Sequence, residues 1–175
     1  MEIRALRESD DRSAFHSGEP DLDRFLLKYA GQNQFRRHIG ATYVAVEGDK
    51  VAGYATVAAG NIEIEDLPLT HRKKLPRYPL PVLRLARLAV NQSVRGRGLG
   101  KQLLRYVLLL ALQMAGESGC AGVVVDAKPG AVEFYRQFGF FALEVVEGQS
   151  PARPLATAMI LPVKEIAAAS GKGES

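Results

Sequence analysis

The stretch Ala86–Leu104, ARLAVNQSVRGRGLGKQLL, constrains the fold more than any other part of the chain. It is an apolar run, then a glycine-rich turn carrying Arg95 and Arg97, then the start of a helix. Downstream, Leu103, Val107, Leu110 and Met114 recur as one stripe, with Leu104, Leu108, Ala111 and Ala115 as a second beside it. An apolar face that wide has to pack on a sheet. A strand that feeds a glycine-rich loop at a helix N-terminus usually holds a phosphate, because unpaired amides and the helix dipole converge there.

The remaining segments read as alternating elements. Asp21 is placed to cap a helix in which Leu22, Phe25, Leu26 and Tyr29 form one apolar face. ATYVAVEGDKVAGYATVA reads as two strands joined by a tight EGDK turn. HRKKLPRYPLP, with three prolines, is a loop, and VLRLARLAV is the next strand. GVVVDAK is a short buried strand; PGAVEFYRQFG is a short helix opened by Pro129 and closed by Gly139. FFALEVV and PLATAMILPV are the last strands. The order predicts an α/β (α+β) fold, a mixed central sheet flanked by helices, in a single domain over residues 1–164. Residues 165–175 are expected to form a disordered tail.

Bulk properties exclude several classes. Hydrophobic residues at 47% and charged residues at 24% fit a soluble globular protein. No apolar run approaches the roughly 20 residues that span a bilayer, and MEIRALRESDDR is too polar for a signal peptide. No membrane partner and a cytoplasmic location are expected. Cys120 is the single cysteine, read as a small packed residue at a helix-to-strand junction. The three histidines have no metal-ligand spacing, so no metal is expected. Net charge is +4, but from Leu67 to Gly116 there is no carboxylate. That window holds Arg72, Lys73, Lys74, Arg77, Arg84, Arg87, Arg95, Arg97, Lys101 and Arg105, a one-sign field suited to a polyanionic ligand.

Three phosphate loops compete for RGRGLGK. A P-loop needs glycine at Arg95 and serine or threonine at Gln102, so that reading fails. The dinucleotide fingerprint is met by Gly96 and Gly98 but has Lys101 in its third place, and a hairpin precedes it. The pattern [Q/R]-x-x-G-x-[G/A] is met by Arg95, Gly98 and Gly100. With the strand before it, the amphipathic helix after it, and GVVVDAK and FYRQFGF following, the chain resembles the GNAT acetyltransferase superfamily over roughly Ile3 to Val163.

The resemblance implies acetyl-CoA as cosubstrate, bound at splayed strands. Amides of Arg95, Gly96, Arg97, Gly98, Leu99, Gly100 and Lys101 would face its pyrophosphate, with the cationic side chains pairing to phosphate oxygens. The pantetheine arm would add to the strand at Leu88, Ala89 and Val90, whose N–H groups suit a tetrahedral oxyanion. The resemblance also makes Tyr135 the acid that protonates the departing thiolate. The base is open. An α-amine with pKa near 8 is about a quarter neutral at pH 7.5, whereas a lysine would want a carboxylate, and Glu63, Glu65, Asp126 and Glu133 are candidates.

FHSGEPDLDRFLLKYAGQNQ and the segments after it resemble, more narrowly, the acetyltransferase toxins of type II toxin–antitoxin modules. That resemblance implies acetylation of the α-amine of aminoacyl-tRNA, a ribbon-helix-helix antitoxin, operator DNA reached through the antitoxin complex, and a possible homodimer. Arg36, Arg37, Arg72, Lys73, Lys74, Arg77, Arg84 and Arg87 would receive the tRNA phosphates. Asn91 stands where relatives often carry an acidic residue. The rivals are a GNAT enzyme acting on a small amine or a protein N-terminus, and a non-catalytic binding module.

Overall fold

The computed structural model describes residues 1–72, 75–76, 79–144 and 156–172. Its strands are β1 (Glu2–Ala5), β2 (Ala41–Glu47), β3 (Lys50–Ile62), β4 (Leu80–Val90), β5 (Gly122–Ala127), β6 (Phe141–Ala142) and β7 (Thr157–Pro162). Its helices are α1 (Pro20–Arg24), α2 (Leu99–Glu117), α3 (Val132–Arg136) and α4 (Val163–Lys172). The strands hydrogen-bond in the order β1-β2-β3-β4-β5-β7-β6. The β2–β3 hairpin closes on Gly48 and Asp49 as expected, with Glu47 opposite Lys50; Gly48 at φ +62° takes the left-handed turn conformation that glycine adopts without steric cost. Helix α2 connects β4 to β5, and the pairings of β1 with β2, of β2 with β3 and of β5 and β6 with β7 are antiparallel. The sheet is mixed, as the order of elements predicts.

The chain packs as two compact units, residues 1–58 with 85–109 and residues 59–84 with 110–175.

In the first unit Tyr54 lies fully buried among Phe15, Phe25, Leu26, Val44 and Ala89. Its ring meets Phe15 edge-on at 5.6 Å and stacks on Phe25 at 6.3 Å, while its hydroxyl donates to the Leu22 carbonyl at 2.7 Å. The buried phenol therefore has its polar end satisfied, which is the condition for tyrosine in a core. Across the hairpin, Thr42 and Thr56 pair their hydroxyls at 2.8 Å in the same way.

Two expectations for this unit are corrected. Asp21 does not cap α1: Pro20 occupies the first turn, Glu19 takes the cap position without a side-chain bond, and Asp21 instead accepts from Arg24 at 3.4 Å. Tyr29 does not lie on the apolar face. After α1 the chain winds wide over Phe25–Tyr29, and the Ala30 N–H bonds to the Phe25 carbonyl, five residues back. The inward positions are therefore Phe25, Leu26 and Ala30, and Tyr29 is 47% exposed. An α-helical period of 3.6 would have turned Tyr29 inward; the i→i+5 turn puts Ala30 in that place.

In the second unit Leu80, Val82, Val124 and Ile160 pack with Ile62 and Leu67. Every residue of β5 except Asp126 is buried, as an apolar run between covered faces requires. Cys120 is buried, and its thiol donates to the Gly122 carbonyl at 3.3 Å, which supports the packing role. The expected tail is corrected over residues 165–172. They continue α4, because Ile166 finds a buried place (4% exposed) that anchors the amphipathic turn. Val145, Val146, Pro154 and Leu155 of the predicted last strands lie outside the described residues.

One ion pair ties the N-terminal strand to the loop after it. Arg4 grips Asp10 in a bidentate pair, Nη2–Oδ1 2.7 Å and Nη1–Oδ2 2.8 Å, and the Arg7 N–H adds a third bond at 2.8 Å. The Arg4 bond is the largest cause that holds the Asp10 carboxyl below its ordinary pKa. A lowered folded pKa contributes stability that is complete above the unfolded value of about 4 and is lost as pH falls through the folded one. Asp10→Asn is expected to cost about 2 kcal/mol at pH 7. Urea unfolding at pH 7 and at pH 3 checks this: the gap between wild type and variant narrows at the lower pH.

Candidate active site

The glycine turn sits where the sequence predicts. β4 ends at Val90, residues Gln92–Val94 make one 3-10 turn, and α2 begins at Leu99. Asn91 caps the short turn by accepting from the Ser93 N–H at 3.2 Å, so this departure from the family pattern has a structural use. Gly96 and Gly98 stand at φ +82° and +77°. These are left-handed conformations that cost a side-chain-bearing residue roughly 1–2 kcal/mol each. Nothing lies within 4 Å of where a Cβ would stand on either glycine, so the outer side of the turn is open. The first backbone bond into the helix runs from Gln102 N–H to Gly98 O at 3.2 Å. Helix geometry leaves the amides ahead of it without intrahelical acceptors, as an anion site needs. Arg97 and Lys101 are exposed beside them, Gly100 is half-buried and Leu99 buried.

The loop has a support that the sequence reading missed. The Arg95 guanidinium donates Nη2 to the Ser17 carbonyl, and the Gln92 N–H bonds to the His16 carbonyl at 2.9 Å. Gly18, at φ +93°, lies so close that a Cβ there would stand 2.5 Å from Gln92 Nε2. The Ser17-Gly18-Glu19-Pro20 segment before α1 thus braces the turn. Ser17 is held in its own place by Asp23, whose Oδ1 accepts from the Ser17 N–H at 2.9 Å and from its hydroxyl at 2.6 Å. The legible signal was the glycine–proline spacing in SGEP, which marks a forced turn without naming what it touches.

On β4, Ala89 is buried in the core of the first unit, while Leu88 and Val90 are half-buried. Gly53 lets the strand and α2 close up: a Cβ there would stand 3.0 Å from Leu103 and 3.1 Å from the Ala89 carbonyl and from Leu99.

Tyr135, on α3, is buried at 6% exposure, with Phe134 and Phe140 edge-on to it at 5.1 and 5.4 Å. Burial alone pushes its phenol up to about 12. No charged group contributes. The phenol therefore stays protonated through the physiological range.

Three of the four candidate bases have other occupations. Asp126 faces Arg84 at 3.5 Å, Glu133 pairs with Arg136 at 2.9 Å, and Glu63 forms a reciprocal cap with Asp66. Glu65 is exposed, and its backbone carbonyl accepts from Arg72 at 2.7 Å.

The basic residues divide similarly. Arg36 and Arg37 are exposed. Arg72 is occupied by the Leu67 and Glu65 carbonyls and by Glu144 at 3.4 Å. Arg84 faces Asp126, and Arg87 lies over the Phe25 ring at 3.7 Å. Lys73, Lys74 and Arg77 lie outside the described residues. Among the described residues no cluster of histidine, cysteine and carboxylates could hold a metal, and no helix is long and apolar enough to cross a membrane.

A family model for the acetyltransferase (GNAT) domain matches residues 38–141, more than half the chain and the whole of the strand–turn–helix unit. The chain belongs to the GNAT acetyltransferases. This acetyltransferase is 36% identical over 138 residues to a tRNA-acetylating toxin of Mycobacterium tuberculosis, covering 78% of this chain and 82% of that one. Among solved structures it is similar to AtaT complexed with acetyl-methionyl-tRNAfMet, at TM-score 0.83 and 28% identity, covering 95% of this chain and 97% of that one. It is also similar to AtaTR bound with acetyl-CoA, at TM-score 0.77 and 28% identity, covering 95% and 96%. The enzyme is an acetyl-CoA-dependent acetyltransferase, and the fold and cosubstrate expected from the loop both hold.

Proposed function

We propose that this acetyltransferase moves the acetyl group of acetyl-CoA to the α-amine of an aminoacyl group charged on tRNA, and so acts as the toxin of a type II toxin–antitoxin module. The likeness to the tRNA-acetylating toxin of M. tuberculosis, across more than three quarters of the chain, carries this reading.

The residues fit their roles. Amides from Gly96 to Lys101 bind the pyrophosphate in the open turn at Gly96 and Gly98, and Arg97 and Lys101 neutralise it, while the Arg95 N–H is spent on the Gln92 carbonyl at 3.4 Å. Bound there, acetyl-CoA supplies an activated thioester. The strand from Leu88 to Val90 orients the arm, and its N–H groups stabilise negative charge on oxygen. Tyr135 holds the proton that the leaving sulfur takes, and its burial keeps that proton in place. Asp126, Glu133 and Glu63 are each engaged elsewhere, which favours an amine that is partly neutral without help. An α-amine near pKa 8 meets that condition and a lysine near 10.4 does not.

A ribbon-helix-helix antitoxin as partner, operator DNA contacted through that complex, a homodimer and a cytoplasmic site of action complete the proposal; the likeness to toxins of such modules supports them. The test is induced expression in a bacterium without the antitoxin, followed by mass analysis of charged tRNA. Growth arrest with N-acetylated aminoacyl-tRNA is expected. Normal growth with unmodified aminoacyl-tRNA overturns the reading.

A further inference from the structure

The segment after α1 holds the feature that the active-site reading does not use. From Arg24 to Val46 the chain carries no carboxylate, while Lys28, Arg36 and Arg37 are basic. This is a second one-sign run, separate from the one at Leu67 to Gly116.

The backbone decides what that run presents. Two wide turns follow one another, Phe25–Tyr29 and Gln32–Arg36, each closed by a bond from five residues on: Ala30 N–H to Phe25 and Arg37 N–H to Gln32. A turn of that width puts a block of consecutive residues outward between its anchors, where an α-helix would alternate them. The first block is Leu27, Lys28 and Tyr29, all exposed, with Leu27 and Tyr29 each 47% accessible. The second turn keeps Asn33, Gln34 and Phe35 half-buried and brings Arg36, Arg37 and His38 out at its closing end, all three exposed. The inner sides are firmly fixed. Phe25, Leu26 and Ala30 are buried, the Leu26 carbonyl accepts from Arg12 at 3.1 Å, and Gln34 bonds both the Leu6 carbonyl and the Thr42 N–H.

A single exposed tyrosine is ordinary surface. Here, however, Tyr29 belongs to an apolar set that an α-helical winding would have buried, and the wide turn expels it beside a lysine. Wide turns of this kind concentrate at functional positions. An exposed aromatic ring with a lysine beside it, in a basic stretch that carries no carboxylate, offers the chemistry that binds single-stranded nucleic acid: bases stack on the ring and phosphates meet the cations.

We propose that Tyr29 is a stacking platform for an unpaired base of the RNA substrate, with Lys28, Arg36 and Arg37 receiving the adjoining phosphates. This rests on the reading of charged tRNA as acetyl acceptor, and makes Tyr29 a positioning residue for that substrate.

The full-length protein and its variants Tyr29→Ala, Tyr29→Phe and Lys28→Gln are assayed with acetyl-CoA and a bulk pool of aminoacylated tRNA, at several salt concentrations. Tyr29→Ala is expected to raise KM for charged tRNA roughly 5- to 100-fold, with KM for acetyl-CoA and the melting temperature unchanged. Tyr29→Phe keeps the ring and should match wild type. Lys28→Gln should reduce the log–log salt slope of tRNA binding by about 1. An unchanged KM for tRNA in Tyr29→Ala, or a Tyr29→Phe variant as impaired as Tyr29→Ala, overturns the proposal. So does a Tyr29→Ala defect that tracks a change in sedimentation, which makes the face a contact between copies. Active wild type with those results overturns this inference alone; wild type inert on the whole tRNA pool overturns the acceptor reading with it.

Discussion

Replacing Tyr135 by phenylalanine is expected to lower kcat for acetyl transfer by about 10²- to 10⁴-fold while acetyl-CoA affinity stays within twofold of wild type, roughly the range that one positioned acid contributes. The change removes one oxygen and keeps the ring that packs edge-on to Phe134 and Phe140. Binding measured by calorimetry and turnover measured with charged tRNA separate the two effects. Loss of binding and rate in equal measure would make Tyr135 a packing residue. The pH profile adds a second check. Because the phenol is pushed up to about 12 by burial, it remains protonated to well above pH 10. In wild type, kcat/KM should climb through the acceptor amine's pKa near 8 and then stay flat to pH 10. A descending limb between pH 8 and 10 would mean that a different acid donates the proton.

The second large effect is on stability. Gly122 opens β5 opposite Pro162 of β7, and a Cβ on it would stand 2.7 Å from the Leu161 carbonyl oxygen and 3.2 Å from Ile160. A carbonyl in a strand ladder cannot swing aside as a flexible side chain can, so the two strands would have to part. Gly122→Val adds two further methyl groups at the same point and is expected to destabilise the fold by about 3 kcal/mol or more. For a chain of this length that is a fall in melting temperature of about 6–12 °C. Gly116 is the control, since it lies inside α2 with nothing within 4 Å of a Cβ. Gly116→Ala should raise stability by about 0.5–1 kcal/mol, because alanine loses less backbone freedom in a helix. Differential scanning calorimetry of both variants decides the matter, and a Gly122→Val protein that melts with wild type would mean β5 and β7 have slack at that pair.

The elements proposed to carry the chemistry were legible because their signals are local. A hairpin needs only alternation and a turn residue that tolerates positive φ, and Gly48 supplies it. The turn proposed to hold the cosubstrate needs glycines whose backbone no side chain crowds, and Gly96 and Gly98 meet that within three residues. The stripe of α2 was read from its period, and Leu103, Leu104, Val107 and Ala111 are its fully buried members.

What the sequence by itself determined is therefore the set of contacts made by neighbours along the chain: the strand, the open turn, the helix and the two carboxylate-free runs. Only the tertiary structure decided which cations are spent. Arg84 faces Asp126 from another strand, Arg72 is occupied by the Leu67 and Glu65 carbonyls and by Glu144, and Arg95 reaches Ser17 across 78 residues. The same holds for Tyr29, turned outward when Ala30 took its inward place, and for α4, ordered because Ile166 met a packed site. The physical reason is common to all of them. Charge and period are properties of a residue and its near neighbours, whereas a partner for a guanidinium or a cavity for a side chain exists only once distant segments have met.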